Sequence, residues 1–224
     1  MQTDGHKSRT KIVGLGAGGH ASVILDLIES LPGSPYEVVG FLDPERGRHG
    51  SQCQGVTILG DDSLLPELRR DGIAGCFIGL GSVGRTAARR RLYELAVERG
   101  FDVVSLVHPA AVVAKSAALG GGCCVMAGAV INSRAALGRN VCINTGAIVE
   151  HDCRIDDHAF IAPGAVLAGG VQVGAGAFVG LRAGVKQGCV LGAESLTGAG
   201  AMVVRDVAPR AVVAGVPARA MDAR

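Results

Sequence analysis

The chain has 224 residues, a net charge of +2 and 48% apolar residues, with no tryptophan and only 3% aromatic residues. The near-neutral charge argues against nucleic acid as the main partner, because nucleic-acid-binding domains concentrate basic residues. No apolar run reaches membrane-spanning length, and segment 1–10 lacks a signal-peptide core, so a cytoplasmic protein without a membrane span is expected. Seven cysteines without a CxxC pair favour reduced thiols that serve as small apolar side chains.

The first hundred residues alternate between segments predicted as strands and segments predicted as helices. Strands are expected at 11–15, 37–42, 73–79 and 102–107, and helices at 23–31, 63–70 and 82–99. Ser82 is the expected N-cap of the last helix. This alternation predicts a small parallel sheet of Rossmann type, which binds ligands beyond the C-terminal ends of its strands.

A glycine-rich turn follows the first predicted strand. Gly14, Gly16 and Gly19 satisfy G-x-G-x-x-G, and Asp43 follows at a distance suited to a ribose contact. The same turn serves any diphosphate held at a helix N-terminus, and the domain is too short for a complete dinucleotide-binding fold. A nucleotide-sugar is therefore favoured over NAD as the ligand of this turn. A further alternative is that the turn binds no ligand.

Arginines crowd the last predicted helix of this half. Arg85, near its start, is a candidate contact for a phosphate. Arg89, Arg90 and Arg91 are expected on a solvated face, which is the usual position of charged side chains on a helix.

Residues 113–203 repeat with a period of six. The repeating large positions are Val113, Leu119, Val125, Ile131, Leu137, Ile143, Val149, Ile155, Ile161, Leu167, Val173, Val179, Val185, Leu191, Thr197 and Val203. A small residue follows each of them four positions later, and Cys123, Cys153 and Cys189 occupy this inward position. The period fits neither helix nor strand and predicts about five three-sided coils of parallel β-helix, stacked roughly 4.8 Å apart. We therefore predict an α/β Rossmann-like domain at 1–108 and a β-helix domain with a C-terminal tail at 109–224.

Polar residues are rare in the repeat, and they concentrate at 144–152. His151 should lie on the outer face or at an edge, where a neutral imidazole can accept a proton near pH 7. Glu150 and Asp152 flank it, and either could orient the ring. A zinc site would need three protein ligands, and only His158 lies near, so no metal is predicted.

The chain resembles the two-domain sugar O- and N-acyltransferases of the left-handed β-helix class. This family includes sialic acid O-acetyltransferases and nucleotide-linked 4-amino-sugar N-acetyltransferases. The residues that carry the resemblance are Gly16-Ala-Gly-Gly-His20, Phe41-Leu-Asp43, Ile78-Gly-Leu-Gly81, Asn144-Thr-Gly, Glu150-His-Asp152 and Ala214-Gly-Val-Pro-Ala-Arg219. The resemblance implies a homotrimer with acetyl-CoA between adjacent prisms, and a nucleotide-sugar acceptor delivered by the N-terminal domain.

The resemblance also implies roles for particular residues. Matches to the acceptor site are Gly18, Gly19, His20, Asp43 and Gly81. Matches to the catalytic site are Asn144, His151 and, as the supporting acid, Asp152. Matches to positions that contact the cofactor are Gly169, Leu181 and Ala199. Some relatives carry a second histidine at the position of Phe160, so any contact made by that imidazole must be absent here or supplied by His158.

The expected activity is acetyl-CoA-dependent N-acetylation of a UDP- or GDP-linked 4-amino-deoxy sugar, for surface glycan synthesis. His151 would remove a proton from the amine as it attacks the thioester. One alternative is O-acetylation of a sugar such as sialic acid. Another is a non-catalytic prism protein that binds a nucleotide, which the intact Asn144 and His151 disfavour.

Overall fold

The structure is a computed structural model that describes residues 9–33 and 35–221. Most of the polar N-terminal segment (1–8) and the last residues of the predicted tail (222–224) lie outside the described residues. A six-stranded sheet with three helices is followed by a three-sided β-helix, which confirms the predicted fold class.

The N-terminal unit has six strands and three α-helices. They are β1 (Thr10–Leu15), α1 (Gly19–Ser30), β2 (Tyr36–Leu42), β3 (Gln52–Cys53), β4 (Val56–Gly60), α2 (Leu65–Arg70), β5 (Gly75–Ile78), α3 (Ala87–Glu98) and β6 (Asp102–Val103). Short 3-10 turns occupy Arg46–Arg48 and Asp62–Leu64. The sheet order is β3-β4-β2-β1-β5-β6, with all neighbours parallel except β3 and β4. β1 is central and fully buried from Ile12 to Leu15, so the glycine-rich turn starts from the middle of the sheet.

Two local predictions for this unit were wrong, and one hairpin was missed. The last helix begins at Ala87 rather than after Ser82, because Gly84 adopts φ +77° and interrupts the helical conformation. The strand predicted at 102–107 divides into β6 and Leu106–Val107, and the second piece pairs with the β-helix instead of β5. The β3–β4 hairpin was not predicted, since its strands are short and lack a long apolar pattern.

Each side of the β-helix is a stack of two-residue strands. The domain face contains Leu106–Val107, Cys124–Val125, Cys142–Ile143, Phe160–Ile161, Phe178–Val179, Leu196–Thr197, Val212–Ala214 and the antiparallel Arg219–Ala220. The apolar face contains Val112–Val113, Val130–Ile131, Ile148–Val149, Val166–Leu167, Gly184–Val185 and Met202–Val203. The polar face contains Ala118–Leu119, Ala136–Leu137, Arg154–Ile155, Gln172–Val173 and Val190–Leu191.

The six-residue repeat fills the interior as predicted. From Val125 to Val203 the second residue of each strand, such as Val149 or Ile161, points inward and is buried, and the small residues between these strands are buried with it. In the first coil Val113, Ala117 and Leu119 are only partly buried. Cys123, Cys153 and Cys189 lie in this core as free thiols. The interior is therefore a finely divided aliphatic column, which fits the lack of tryptophan.

The N-terminal unit packs on the domain face. Buried side chains of α1, including Ala21 and Ile24, share one apolar cluster with Cys142 and Phe160 of the β-helix. At the start of α3, the buried Thr86 hydroxyl donates to the Gly176 carbonyl at 2.8 Å. These contacts fix the carboxyl ends of β1 and β5 against one corner of the prism.

Candidate active site

One corner of the prism carries a histidine paired with a carboxylate. His151 and Asp152 form the turn between Ile148–Val149 on the apolar face and Arg154–Ile155 on the polar face. The Nδ1 atom of His151 lies 2.8 Å from Oδ2 of Asp152. Glu150 instead accepts the backbone N–H of His151 at 3.3 Å. Of the two acids that flank His151, Asp152 is thus the one that contacts the ring.

Asp152 is held from its other side by an arginine one coil below. The Arg134 Nε and Nη2 atoms donate to the two carboxylate oxygens at 2.7 and 2.8 Å. The hydrogen bonds from Arg134 and then from His151 hold the pKa of Asp152 well below its usual range. Asp152 is therefore ionised at neutral pH, and a carboxylate that accepts from Nδ1–H leaves Nε2 of His151 as the free lone pair.

Gly169 lies one coil above His151, at the same corner. A Cβ atom on this residue would stand 2.7 Å from both Cε1 and Nε2 of the imidazole. No backbone partner is present for the Gly169 N–H among the described residues. The sequence assigned Gly169 to the cofactor; the geometry places it directly against the ring of His151.

A second corner, between the domain face and the apolar face, borders a pocket of about 490 Å³. The N-terminal unit contributes Gly18, Gly19, His20, Gly79, Leu80, Gly81, Ser82 and Val83 to its lining, and the prism contributes Asn144, Phe160, Ala162, Pro163, Phe178 and Leu181. Four of the five predicted acceptor residues therefore share one cavity with Asn144. The aromatic and proline residues of the wall were not predicted, and no local motif marks them.

Buried polar atoms without partners face this pocket. Within the described part of the chain, neither Nε2 of His20 nor Oγ of Ser82 has a hydrogen-bond partner. Burial, reinforced by the nearby Arg89 charge, lowers the pKa of His20 to about 4. A Cβ on Gly81 would stand 3.2 Å from Cβ of His20, so the two residues are in close contact. Buried polar groups without partners suit a site that binds a polar ligand.

The fifth acceptor candidate, Asp43, lies behind the glycine turn and does not line the pocket. Its Oδ2 accepts the Ala17 N–H at 3.0 Å and Nη1 of Arg48 at 3.1 Å. Its Oδ1 accepts the Glu45 N–H at 3.1 Å. In this conformation the carboxylate holds the turn in place, and its predicted contact with a nucleoside stays a prediction.

His158 and Phe160 have different surroundings. His158 is buried at the third corner, with Nδ1 3.0 Å from the Asn140 amide nitrogen and its ring edge-on to Tyr93. Phe160 stacks on Phe178 in the pocket wall, with the two ring centroids 5.6 Å apart. The Phe160 ring also packs against the ring of His20. His158 thus lies at a different corner from His151, and its ring packs against the protein instead of facing the His151 corner.

The two halves of the predicted catalytic pair occupy different corners. Asn144 and His151 are separated by the full width of the apolar face, on which Ile148–Val149 is the intervening strand. Leu181 and Ala199 lie at the Asn144 corner, while Gly169 lies at the His151 corner. One chain alone therefore does not bring Asn144 and His151 together.

Between these corners the outer surface of the apolar face is hydrophobic, and its residues are exposed or partly exposed. Its outward residues are Val112, Val130, Ile148, Val166, Gly184 and Met202. Val112 is 62% exposed and Met202 43% exposed. The equivalent surface of the polar face includes Arg154 and Gln172. A continuous flat apolar strip of this kind marks a protein contact surface.

The described residues contain no group of three or more His, Cys, Asp or Glu side chains arranged to hold a metal ion. Across the same part of the chain, none of the helices combines the length and the hydrophobicity that crossing a bilayer requires.

A Rossmann-type unit fixed on a hexapeptide β-helix, with an imidazole–carboxylate pair at a corner, defines a hexapeptide-repeat acyltransferase. The family described as PglD N-terminal domain matches residues 11–96, and the bacterial transferase hexapeptide (six repeats) matches residues 134–169. UDP-N-acetylbacillosamine N-acetyltransferase of Bacillus subtilis (strain 168) is 37% identical over 113 residues. This alignment covers 50% of the chain, and the chain spans 50% of the length of that curated relative.

Two solved structures are similar over nearly the whole chain. PerB from Caulobacter crescentus, in complex with CoA and GDP-perosamine, is 38% identical, with a TM-score of 0.87 over 94% of this chain and 97% of that chain. The acetyltransferase domain of PglB from Neisseria gonorrhoeae, in complex with acetyl coenzyme A, is 35% identical, with a TM-score of 0.86 over 96% of this chain and 100% of that chain.

The chain belongs to the family of nucleotide-amino-sugar N-acetyltransferases with a PglD N-terminal domain and a left-handed hexapeptide-repeat β-helix. The predicted family, fold class and acyltransferase class are confirmed, as is CoA as the co-substrate of the family.

Proposed function

We propose that this protein transfers the acetyl group of acetyl-CoA to the amino group of a nucleotide-linked amino sugar. The observation that carries the proposal is the His151–Asp152 contact at 2.8 Å, which leaves Nε2 free at an exposed corner. This is the arrangement that a general base requires. Variants of the Caulobacter relative with one histidine replaced have been crystallised with CoA and GDP-perosamine, which supports a central role for a histidine in that protein.

The reaction is a direct transfer. As the acceptor nitrogen attacks the thioester carbonyl, Nε2 of His151 removes a proton from the amine, and Asp152 stabilises the imidazolium that forms. The C–N bond forms and the C–S bond breaks, and the proton passes from His151 to the departing CoA sulfur. The Gly169 N–H, beside the ring and without a backbone partner among the described residues, is the donor we assign to the developing oxyanion.

The acceptor binds in the pocket between the two units. Gly18 and Gly19 expose their backbone at the start of α1, and no protein atom lies within 4 Å of a Cβ added to either. The N-terminus of a helix attracts anions, so the acceptor diphosphate belongs at this turn. The sugar and nucleoside then bind to the other polar groups of the pocket. These groups are the unpartnered polar atoms of His20 and Ser82, the backbone of Gly81 and the side-chain amide of Asn144.

The active protein is a homotrimer whose subunits meet through the apolar face. In a trimer whose three copies turn this face toward a threefold axis, one edge of the apolar face in each subunit meets the opposite edge of the apolar face in the neighbouring subunit. The His151 corner of one subunit then lies against the Asn144 corner and acceptor pocket of its neighbour. Acetyl-CoA lies in the groove between these corners, where Gly169 of one subunit and Leu181 and Ala199 of the other line its path.

Subunit mixing tests this arrangement. His151→Ala and Asn144→Ala subunits, each inactive alone, are unfolded together, refolded and assayed. Random trimers should recover about a quarter of the wild-type sites, because one interface in four joins an intact His151 to an intact Asn144. Complete lack of recovery, with mixed trimers verified by mass, contradicts a site shared between subunits.

The substrate class is tested by incubation with acetyl-CoA and a panel of UDP- and GDP-linked amino sugars. The proposal predicts release of free CoA thiol together with one added acetyl group on a single nucleotide-linked amine. Acetylation of a hydroxyl on a free sugar such as sialic acid, with no turnover of any nucleotide-linked amine, supports the O-acetyltransferase alternative instead.

The reaction takes place in the cytoplasm. All seven cysteines are free and buried, which fits a reducing compartment. Both acetyl-CoA and nucleotide sugars are substrates of biosynthetic chemistry there, and surface glycan synthesis is the process that would use the product.

A further inference from the structure

Arg89 is a fully buried cation on helix α3. The sequence predicted this residue on a solvated face, and the prediction was wrong, because its side chain points from α3 into the unit and is only 2% exposed. Its Nη1 donates to the carbonyls of Ile78 at 3.1 Å and Leu80 at 3.0 Å. Its Nε is unpartnered, and no carboxylate of the described residues forms an ion pair with it. A buried unpaired charge is costly, so its retention calls for a function.

The two carbonyls belong to the segment that forms one wall of the acceptor pocket. In a trans peptide the C=O and the following N–H point in opposite directions. When the Leu80 carbonyl accepts from Arg89, the Gly81 N–H therefore points away from the guanidinium, on the pocket side. This N–H has no backbone partner among the described residues. The guanidinium thus fixes an unsatisfied donor in the wall of the pocket.

The pocket has no charged residue in its lining, although its proposed ligand carries a diphosphate. The N-terminus of α1 supplies part of the complementary potential. Arg89, directly behind Leu80 and Gly81, supplies a full positive charge. In a poorly solvated region such a charge acts over a longer distance than it would at the surface.

We propose that Arg89 is a positioning residue for the acceptor: it orients the Leu80–Gly81 peptide so that the Gly81 N–H binds the nucleotide-sugar, and its charge complements the diphosphate from behind the wall. This inference rests on the proposed function, and in particular on the assignment of the pocket to the acceptor. Arg89 acts through the peptide and does not contact the reacting atoms.

The neighbouring His20 provides an independent readout of the Arg89 charge. Arg89 is the charged group whose field lowers the pKa of His20, in addition to the effect of burial. Removal of the charge should therefore raise the pKa of His20, whereas a lysine at position 89 should keep it low. This difference between the two variants shows that Met removes the charge beside the pocket and Lys keeps it, so that a change in the acceptor KM can be assigned to the charge.

Steady-state kinetics and NMR titration of His20 are used to compare two variants, Arg89→Met and Arg89→Lys. Arg91→Met is the matched control on the same helix. Arg91 is exposed and outside the pocket. Arg89→Met should raise the KM for the acceptor by about tenfold or more, the scale of a lost charge-assisted interaction. The KM for acetyl-CoA should stay unchanged. Arg89→Lys should raise the acceptor KM less and leave the pKa of His20 low, and Arg91→Met should behave as wild type.

A wild-type acceptor KM in folded Arg89→Met, or a His20 pKa that this variant leaves unshifted, would overturn the inference. If these variants fail to fold, the wild-type protein is used to test the proposal. Addition of the acceptor must then shift the NMR signal of the Gly81 amide. A signal that is unperturbed at saturation refutes the proposal. Wild-type protein that transfers no acetyl group to any nucleotide-linked amine is a separate result, which refutes the proposed function itself.

Discussion

Gly169 and His151 are in direct contact across adjacent coils, with no space for a methyl group between them. A Cβ on Gly169 would stand 2.7 Å from Nε2, the atom assigned to proton removal. Nearly every real Cβ keeps a greater distance from its neighbours, so the imidazole would have to rotate or shift. The glycine therefore limits the position of the His151 ring from above, and Asp152 holds its orientation from the side.

Gly169→Ala should lower kcat by about 10²-fold, the effect expected from displacing a catalytic group by roughly 1 Å. The matched control is Gly121→Ala at another corner, where a Cβ meets nothing within 4 Å. Steady-state kinetics of both variants measure the difference. If Gly169→Ala retained the wild-type kcat, the ring of His151 would not need its present position.

Asp152→Asn should lower kcat by roughly 10²- to 10⁴-fold, because an amide neither favours the Nδ1–H tautomer nor stabilises the imidazolium. Glu150→Gln is the matched control, since among the described residues the Glu150 carboxylate accepts a hydrogen bond from the backbone N–H of His151 and none from its ring. Comparison of the two kcat values ranks the acids that the sequence left unranked. Equal losses in both variants would remove the special role of Asp152.

Val166→Glu should dissociate the proposed trimer, because it places a charge in the centre of the apolar face. Gln172→Glu introduces the same side chain on the polar face and should leave assembly intact. Light scattering coupled to size exclusion gives the mass of each variant. A trimeric Val166→Glu protein would mean that the subunits meet through a different surface.

The ligand-free protein should lose stability as the pH falls from about 6.5 toward 4. Burial and then the Arg89 charge lower the pKa of His20 to about 4 from its ordinary value of 6.5. In that window the unfolded chain binds a proton at His20 that the folded protein does not, so unfolding becomes more favourable. Urea denaturation of wild type and His20→Gln at pH 7 and pH 5 measures the contribution. A wild-type pH dependence equal to that of the variant would contradict it.

The sequence was sufficient for the fold, because each signal was local or strictly periodic. The six-residue repeat from Val113 to Val203 predicts the prism, since every inward position is fixed by its spacing along the chain. The alternating strands and helices likewise predict the parallel sheet. The start of α3 was missed because Ser82 is an acceptable N-cap in sequence, while Gly84 imposes a loop in the structure.

The candidate site was predictable in part. Arg134 lies one coil, or eighteen residues, before Asp152, so a search at that spacing could have found the pair. The burial of Arg89 and the pocket wall at Phe160 and Phe178 depend on how the two units pack, which no local pattern encodes. The separation of Asn144 from His151 also became visible only when the residues were placed on their corners.

The most direct measurement of the central claim is the single-turnover rate of acetyl transfer by His151→Ala, with a nucleotide-linked amino sugar as acceptor. Binding of acetyl-CoA and of the acceptor is measured on the same variant by calorimetry, and its mass by light scattering. We expect a trimer that binds both ligands like wild type and transfers acetyl at a rate lower by about 10²- to 10⁴-fold. A rate equal to that of the wild-type protein would contradict it.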